Sequence, residues 1–168
     1  MTAIRLSNGI VKDDVLVVGL SAKSAKGALQ IEAGDLALDT KALLPLLNDV
    51  GATGKADEVI KIPGTTTRLI VFTGLGKSAT TYNNEVLRRA AGAATRALAG
   101  NSSATISLPA KSAAAVKAIA EGAALGNYSF TSFRGSTKSA QKAPLKTITI
   151  HAELAASAEA KSAVKSAE

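Results

Sequence analysis

Two runs, VLVVGL at Val15–Leu20 and LIVF at Leu69–Phe72, are apolar at every position rather than at alternate ones. A strand with one face in water reads as alternation, whereas a strand that is apolar throughout is covered on both sides. Coverage from both sides calls for helices above and below a sheet. Four further runs rich in β-branched residues predict strands at Ala3–Leu6, Glu58–Ile62, Thr105–Leu108 and Leu145–Ile150.

Helical patterns fall between these runs. Thr40–Val50 is one, held short or kinked by Pro45. Asn83–Leu98 is the clearest, with Asn83 as N-cap, Glu85 in the first turn, Val86, Ala90, Ala94 and Ala97 along one face, and Leu87, Ala91 and Leu98 beside it. Gly100-Asn101 stops it. A third runs from Lys111 to Leu125, burying Val116, Ile119, Ala120 and Ala123, with Gly126-Asn127 as its stop. The expected architecture is an α/β domain, a three-layer α/β/α arrangement around a mixed sheet.

At 168 residues the chain has the size of one domain. With 46% hydrophobic residues but only 3% aromatic ones, its core must be built from Val, Ile, Leu and Ala, and so must pack through small side chains and close helix approach. There is no cysteine, hence no disulfide, no thiolate nucleophile and no Cys-ligated metal, which suits a reducing compartment. The opening MTAIRLSNGI lacks the basic and apolar regions of a signal peptide, and no apolar run approaches the roughly 20 residues that span a bilayer. A cytoplasmic, soluble protein with no membrane partner is the expectation.

The net charge of +7 is uneven. Residues 86–151 hold Arg88, Arg89, Arg96, Lys111, Lys117, Arg134, Lys138, Lys142 and Lys146 against a single acid, Glu121. This half could face nucleic acid, an acidic partner or water.

VFTGLGKS, Val71–Ser78, invites a phosphate-loop reading. The Walker loop needs a glycine where Val71 stands, so that motif fails. Gly74-Leu75-Gly76-Lys77-Ser78-Ala79 does satisfy G-x-G-x-x-A. However, the next N-cap is Asn83, well past the glycines, and the following strand ends in Leu108-Pro109-Ala110-Lys111 with no acid for a ribose. Gly74–Lys77 is therefore expected to be a tight turn leaving the sheet.

The lone His151 sits at a strand end and is read as structural or exposed. Asp13, Asp14, Asp35, Asp39, Asp49, Asp57 and Glu58 flank turns and strand ends without metal-cage spacing. No residue of this chain is assigned a catalytic, cofactor-binding or metal-ligating role. Tyr128, Phe130 and Phe133, just past the third helix, are expected to pack against the sheet or a neighbouring surface.

In order and spacing, Val71–Lys77 (V-F-T-G-L-G-K), Leu87–Gly92 (L-R-R-A-A-G), the strand Ile106–Pro109 and Glu121–Phe130 (E-G-A-A-L-G-N-Y-S-F), together with Asp14–Gly27, resemble the N-terminal domain of the leucyl aminopeptidase (cytosol aminopeptidase) family. The resemblance covers roughly residues 10–152. It implies a macro-domain-like fold, and a parent hydrolase that releases N-terminal amino acids, leucine among those preferred, with two divalent metals (Mn²⁺ or Zn²⁺). It also implies a homohexamer whose ligands, catalytic lysine and N-T-D-A-E-G-R-L signature lie in a separate C-terminal catalytic domain. That motif does not occur here, so no metal or catalytic residue carries over. The expected organisation is a non-catalytic domain over 1–152, serving assembly, regulation or substrate access, and an Ala-rich linker, or the start of a helix toward the catalytic domain, over 153–168. The alternative is a self-standing module that binds ADP-ribose or nucleic acid, the latter through the basic residues of 86–151.

Overall fold

A computed structural model describes residues 2–9, 15–23, 28–128 and 142–167. Its strands are β1 (Ala3–Ser7), β2 (Val15–Ala22), β3 (Leu29–Glu32), β4 (Val59–Pro63), β5 (Leu69–Lys77), β6 (Ser103–Ser107) and β7 (Thr147–His151). The helices are α1 (Thr40–Asp49), α2 (Asn84–Ala97), α3 (Ala113–Asn127) and α4 (Ala158–Lys165). All seven strands form one mixed sheet in the order β1-β7-β6-β2-β5-β4, with β3 paired to the far end of β2. β1, β7, β6, β2 and β5 run parallel, while β3 and β4 are antiparallel to β2 and β5.

The continuous apolar runs have the expected cause. Val15, Val17 and Val71 enter a core shared with Leu87, Ala91, Val116, Ile119 and Ala123 of α2 and α3. Leu16, Val18, Leu20, Ile70 and Phe72 point the other way, into a second core with Leu47 of α1. β6 and β7 behave differently: Ala104, Ile106, Ile148 and Ile150 join the first core, but their neighbours Thr105, Ser107, Thr149 and His151 bury polar groups on the α1 side. The α1 face of the sheet is thus apolar over β2 and β5 and polar over β6 and β7.

Helix ends follow local chemistry. Side chains of Asp39, Asn83, Ser112 and Ser157 each accept a backbone N–H from the first turn of α1, α2, α3 and α4. α1 keeps Pro45 inside a ten-residue helix. Pro45 and Lys41 are both exposed, so the Lys41 carbonyl that the proline cannot serve faces water.

α2 and α3 cross at glycine. A Cβ on Gly122 would lie 2.0 Å from the Arg88 carbonyl oxygen, and one on Gly126 2.3 Å from that of Gly92. Across this crossing Arg88 reaches Glu121, with Nε and Nη2 donating to one carboxylate oxygen at 3.0 and 2.8 Å. The guanidinium is pushed above its usual range, first by Glu121 and then by Glu85.

Several sequence expectations are corrected. The stripe of α2 centres on Leu87, Ala90, Ala91, Ala94 and Leu98, leaving Val86 and Ala97 half-buried. The strand β3 went unread because LQIE is short and ends in a charge. In the tail at 153–168, expected as a linker or the start of a helix, Glu153–Ala156 is a 3-10 turn, and α4 buries Ala160 and Val164 in the α2–α3 core. Tyr128 is 72% exposed rather than packed, while Phe130 and Phe133 lie outside the described residues.

Candidate functional site

The parallel strands end on one edge of the sheet, the edge where ligands of open α/β folds bind. A crevice of about 420 Å³ lies there, between β3, the segment after β5, the end of β6 and the turn after β7. Glu32, Tyr82, Lys111 and Glu153 are among its walls.

The glycine motif borders this edge but is not a turn. β5 continues to Lys77, and its register with β2 jumps between Leu20–Gly74 and Ser21–Gly76, so Leu75 is an extra residue in a β-bulge. Gly76 has φ +82°, and a Cβ on Gly74 would lie 1.6 Å from the Lys55 carbonyl oxygen. The amides are occupied: Gly74 N donates to Glu58 O (2.8 Å), Gly76 N to Gly54 O (2.8 Å) and Ser78 N to Ala22 O (2.9 Å). A phosphate would have to displace all three bonds, and α2 starts only at Asn84. The glycines fit a chain passing against the 54–58 loop.

Beside the bulge is a network that sequence reading missed. Glu32 Oε1 accepts from Tyr82 Oη (2.9 Å) and from Ser21 Oγ (2.9 Å), and Ser78 Oγ donates to Gln30 Oε1 (3.3 Å). Burial raises the Tyr82 phenol above its ordinary 10.0; Glu32 adds to the rise, and hydrogen bonds from Ser21 and the Ala79 amide oppose it. The only hint in the sequence was the Leu29–Glu32 alternation, because Tyr82 and Glu32 are fifty residues apart.

His151 is buried, not exposed, and its Nδ1 lies 3.1 Å from Ser107 Oγ. The pair does not form an activated nucleophile. Ser107 gives its only proton to the Ala33 carbonyl at 2.6 Å, so the hydroxyl must accept from Nδ1–H.

The acidic residues stay dispersed. Asp39 caps α1, Glu58 accepts the amides of Thr53 and Gly54, and Asp57 pairs with Arg89. Asp13 and Asp14 lie outside the described residues. Among the described residues no three of His, Asp or Glu gather as a metal site would require. No helix among them is long and apolar enough to cross a membrane.

The basic half is partly neutralised. Arg88 pairs with Glu85 and Glu121, Arg89 with Asp57, and Lys117 lies 3.9 Å from Glu121. Glu85 and Asp57 stand outside the 86–151 window, so the charge count omitted them. Arg134 and Lys138 lie outside the described residues.

The fold of this chain is similar to part of two solved structures. The tomato leucine aminopeptidase, solved as a mutant, matches with TM-score 0.60 over 99% of this chain and 35% of its own, at 19% identity. The bottromycin maturation enzyme BotP in complex with Mn matches with TM-score 0.63 over 92% of this chain and 29% of its own, at 20% identity. The model of the cytosol aminopeptidase family, N-terminal domain, matches residues 15–137, and the chain belongs to that family. Probable cytosol aminopeptidases of Streptomyces griseus (43% identical, 80% of this chain) and Clavibacter michiganensis (38% identical, 85% of this chain) are similar to it. The chain spans 28% of the length of each of these two relatives.

Proposed function

We propose that this chain is the non-catalytic N-terminal domain of a longer cytoplasmic dimetal aminopeptidase that releases amino-terminal residues, leucine among those preferred. One observation carries the reading: among the described residues the acidic side chains and the single histidine are each spent on caps, loops or ion pairs, or stand apart, instead of converging. Two Mn²⁺ or Zn²⁺ ions do not fit such a donor set, so the metals belong to the C-terminal catalytic domain of the parent. Family membership and the share of the relatives' length support the assignment. The domain serves assembly, regulation or substrate access in a homohexamer held mainly by the catalytic domain, and alone it is monomeric or weakly associated.

The test is hydrolysis of leucine p-nitroanilide with Mn²⁺, alongside calorimetric titration with Mn²⁺ and Zn²⁺. The 168-residue chain is expected to give no turnover and no stoichiometric tight metal binding. Turnover at a rate typical of an enzyme would overturn the reading. A self-standing binder of ADP-ribose or nucleic acid draws less support: the bulge amides are bonded within the protein, and Arg88 and Arg89 are committed to carboxylates.

A further inference from the structure

Six asparagines occur in the chain, and the fold holds five of them. Asn48 and Asn84 lie in α1 and α2. Asn83 Oδ1 accepts the Glu85 amide at 2.9 Å, Asn101 Nδ2 donates to the Leu98 carbonyl at 2.7 Å, and Asn127 is buried with its amide bonded to both the N–H and the C=O of Leu145. Asn8 stands apart. It follows the end of β1, it is exposed, and the next residue is Gly9, also exposed.

That pairing has a chemical consequence. The side-chain carbonyl carbon of an asparagine can be attacked by the main-chain nitrogen of the following residue. A helix prevents this by keeping that N–H on a carbonyl and the two atoms apart. A side chain on the following residue also shields its nitrogen, and glycine has none. At Gly9 the surroundings add no shield, because a Cβ built there would find no atom within 4 Å. The Gly9 amide donates to Ser7 Oγ at 3.1 Å, an exposed bond for which water can substitute.

We propose that Asn8-Gly9 is a site of spontaneous covalent modification. Gly9 N bonds to Asn8 Cγ as its hydrogen passes to hydroxide; the Cγ–Nδ2 bond breaks, ammonia leaves, and a succinimide remains. Water then opens the ring at either carbonyl, giving aspartate at position 8 or isoaspartate, in which the main chain runs through the β-carbon. Either product puts a carboxylate where an amide stood, so the net charge of +7 falls by one. Position 8 lies beyond the last β1–β7 pair, Ser7 with His151, so the lengthened main chain leaves the sheet ladder in place. The partner this product fits is an isoaspartyl carboxyl methyltransferase, which transfers a methyl group from S-adenosylmethionine to the exposed carboxylate.

The experiment incubates the 168-residue chain at neutral and mildly alkaline pH, in native buffer and in urea. Trypsin, cutting after Arg5 and Lys12, then isolates residues 6–12 for mass spectrometry. Native chain is expected to exchange NH for O at position 8 ahead of every other asparagine, faster at the higher pH, and the product should accept labelled methyl groups from an isoaspartyl methyltransferase. Gly9→Ala should slow the step about tenfold by crowding the attacking nitrogen. With open space at Gly9 and a φ outside the left-handed region, this variant should keep the parent circular dichroism spectrum. An unmodified position 8 in native chain, whether or not urea exposes it, an equal rate in Gly9→Ala, or faster modification of any other asparagine in the native chain would each overturn the proposal.

Discussion

Gly122 tests how closely two backbones can approach. Alanine in place of glycine inside a helix ordinarily gains about 1 kcal/mol. At Gly122 the new methyl would meet the Arg88 carbonyl at 2.0 Å, a backbone atom that moves only if the whole crossing opens. Overpacking wins: Gly122→Ala should lose roughly 3 kcal/mol in urea unfolding, whereas Gly92→Ala, whose methyl would sit 3.1 Å from the Gly122 carbonyl, should lose clearly less. A more stable Gly122→Ala would refute the crossing. Asn127 gives a second test. Its Oδ1 accepts Leu145 N at 2.8 Å, and its Nδ2 donates to Leu145 O and Thr2 Oγ1 at 2.9 and 2.7 Å. Thr2 also donates to Leu145 O, so Asn127→Leu orphans chiefly the Leu145 amide. The expected cost is about 1–3 kcal/mol by thermal or urea melt, and an unchanged midpoint would contradict it. The sequence foretold close helix packing from its scarcity of large side chains, but not which glycines carry it. Asn127 read only as a stop signal because its partner lies eighteen residues on.

At the scale of elements, legibility followed length and one-sidedness. β2 and β5 announced themselves because both faces are buried in apolar cores, and α3 because its buried positions repeat at helical spacing. β3 escaped because four residues carry almost no period, and the bulge in β5 escaped because glycine pairs usually mark turns. β3 nevertheless sets the chemistry of the carboxyl edge by bringing Glu32 to Tyr82. The fold favours the neutral phenol, so Tyr82 titrates above its ordinary 10.0. Stability from this source is complete below about pH 10 and is lost as pH rises through the raised folded value. Tyr82→Phe should lie lower at neutral pH, because Glu32 loses a donor, and should show a smaller decline above pH 10. Parallel declines in the two proteins, measured by urea midpoints across that window, would exclude Tyr82 as the cause.

Across the whole molecule, composition proved a poor guide wherever partners come from distant sequence. A count over residues 86–151 sees cations almost alone, yet Asp57, far upstream, and Glu85, at the window's edge, join Glu121 in pairing Arg88 and Arg89. The tail raises the same difficulty. Its Ala, Ser, Lys and Glu suggest a linker or a solvated helix leading away from the domain, and a boundary at Ala152 follows from either reading. Ala160 and Val164 are one turn apart on a single face of α4, however, and that face lies in the core that α2 and α3 share. A stripe of one alanine and one valine is too thin to recognise as apolar, but small residues suit a surface already built from Ala and Gly. Ending the chain after Ala152 would remove Val164 and Ala160 and uncover the neighbours they shield. The burial of those two side chains together with Leu154 and Ala155 sets the expected loss at about 2–4 kcal/mol. Urea unfolding of the 152- and 168-residue chains measures it directly: a lower midpoint for the shorter chain makes α4 part of the folded unit, and coincident curves would return the boundary to Ala152.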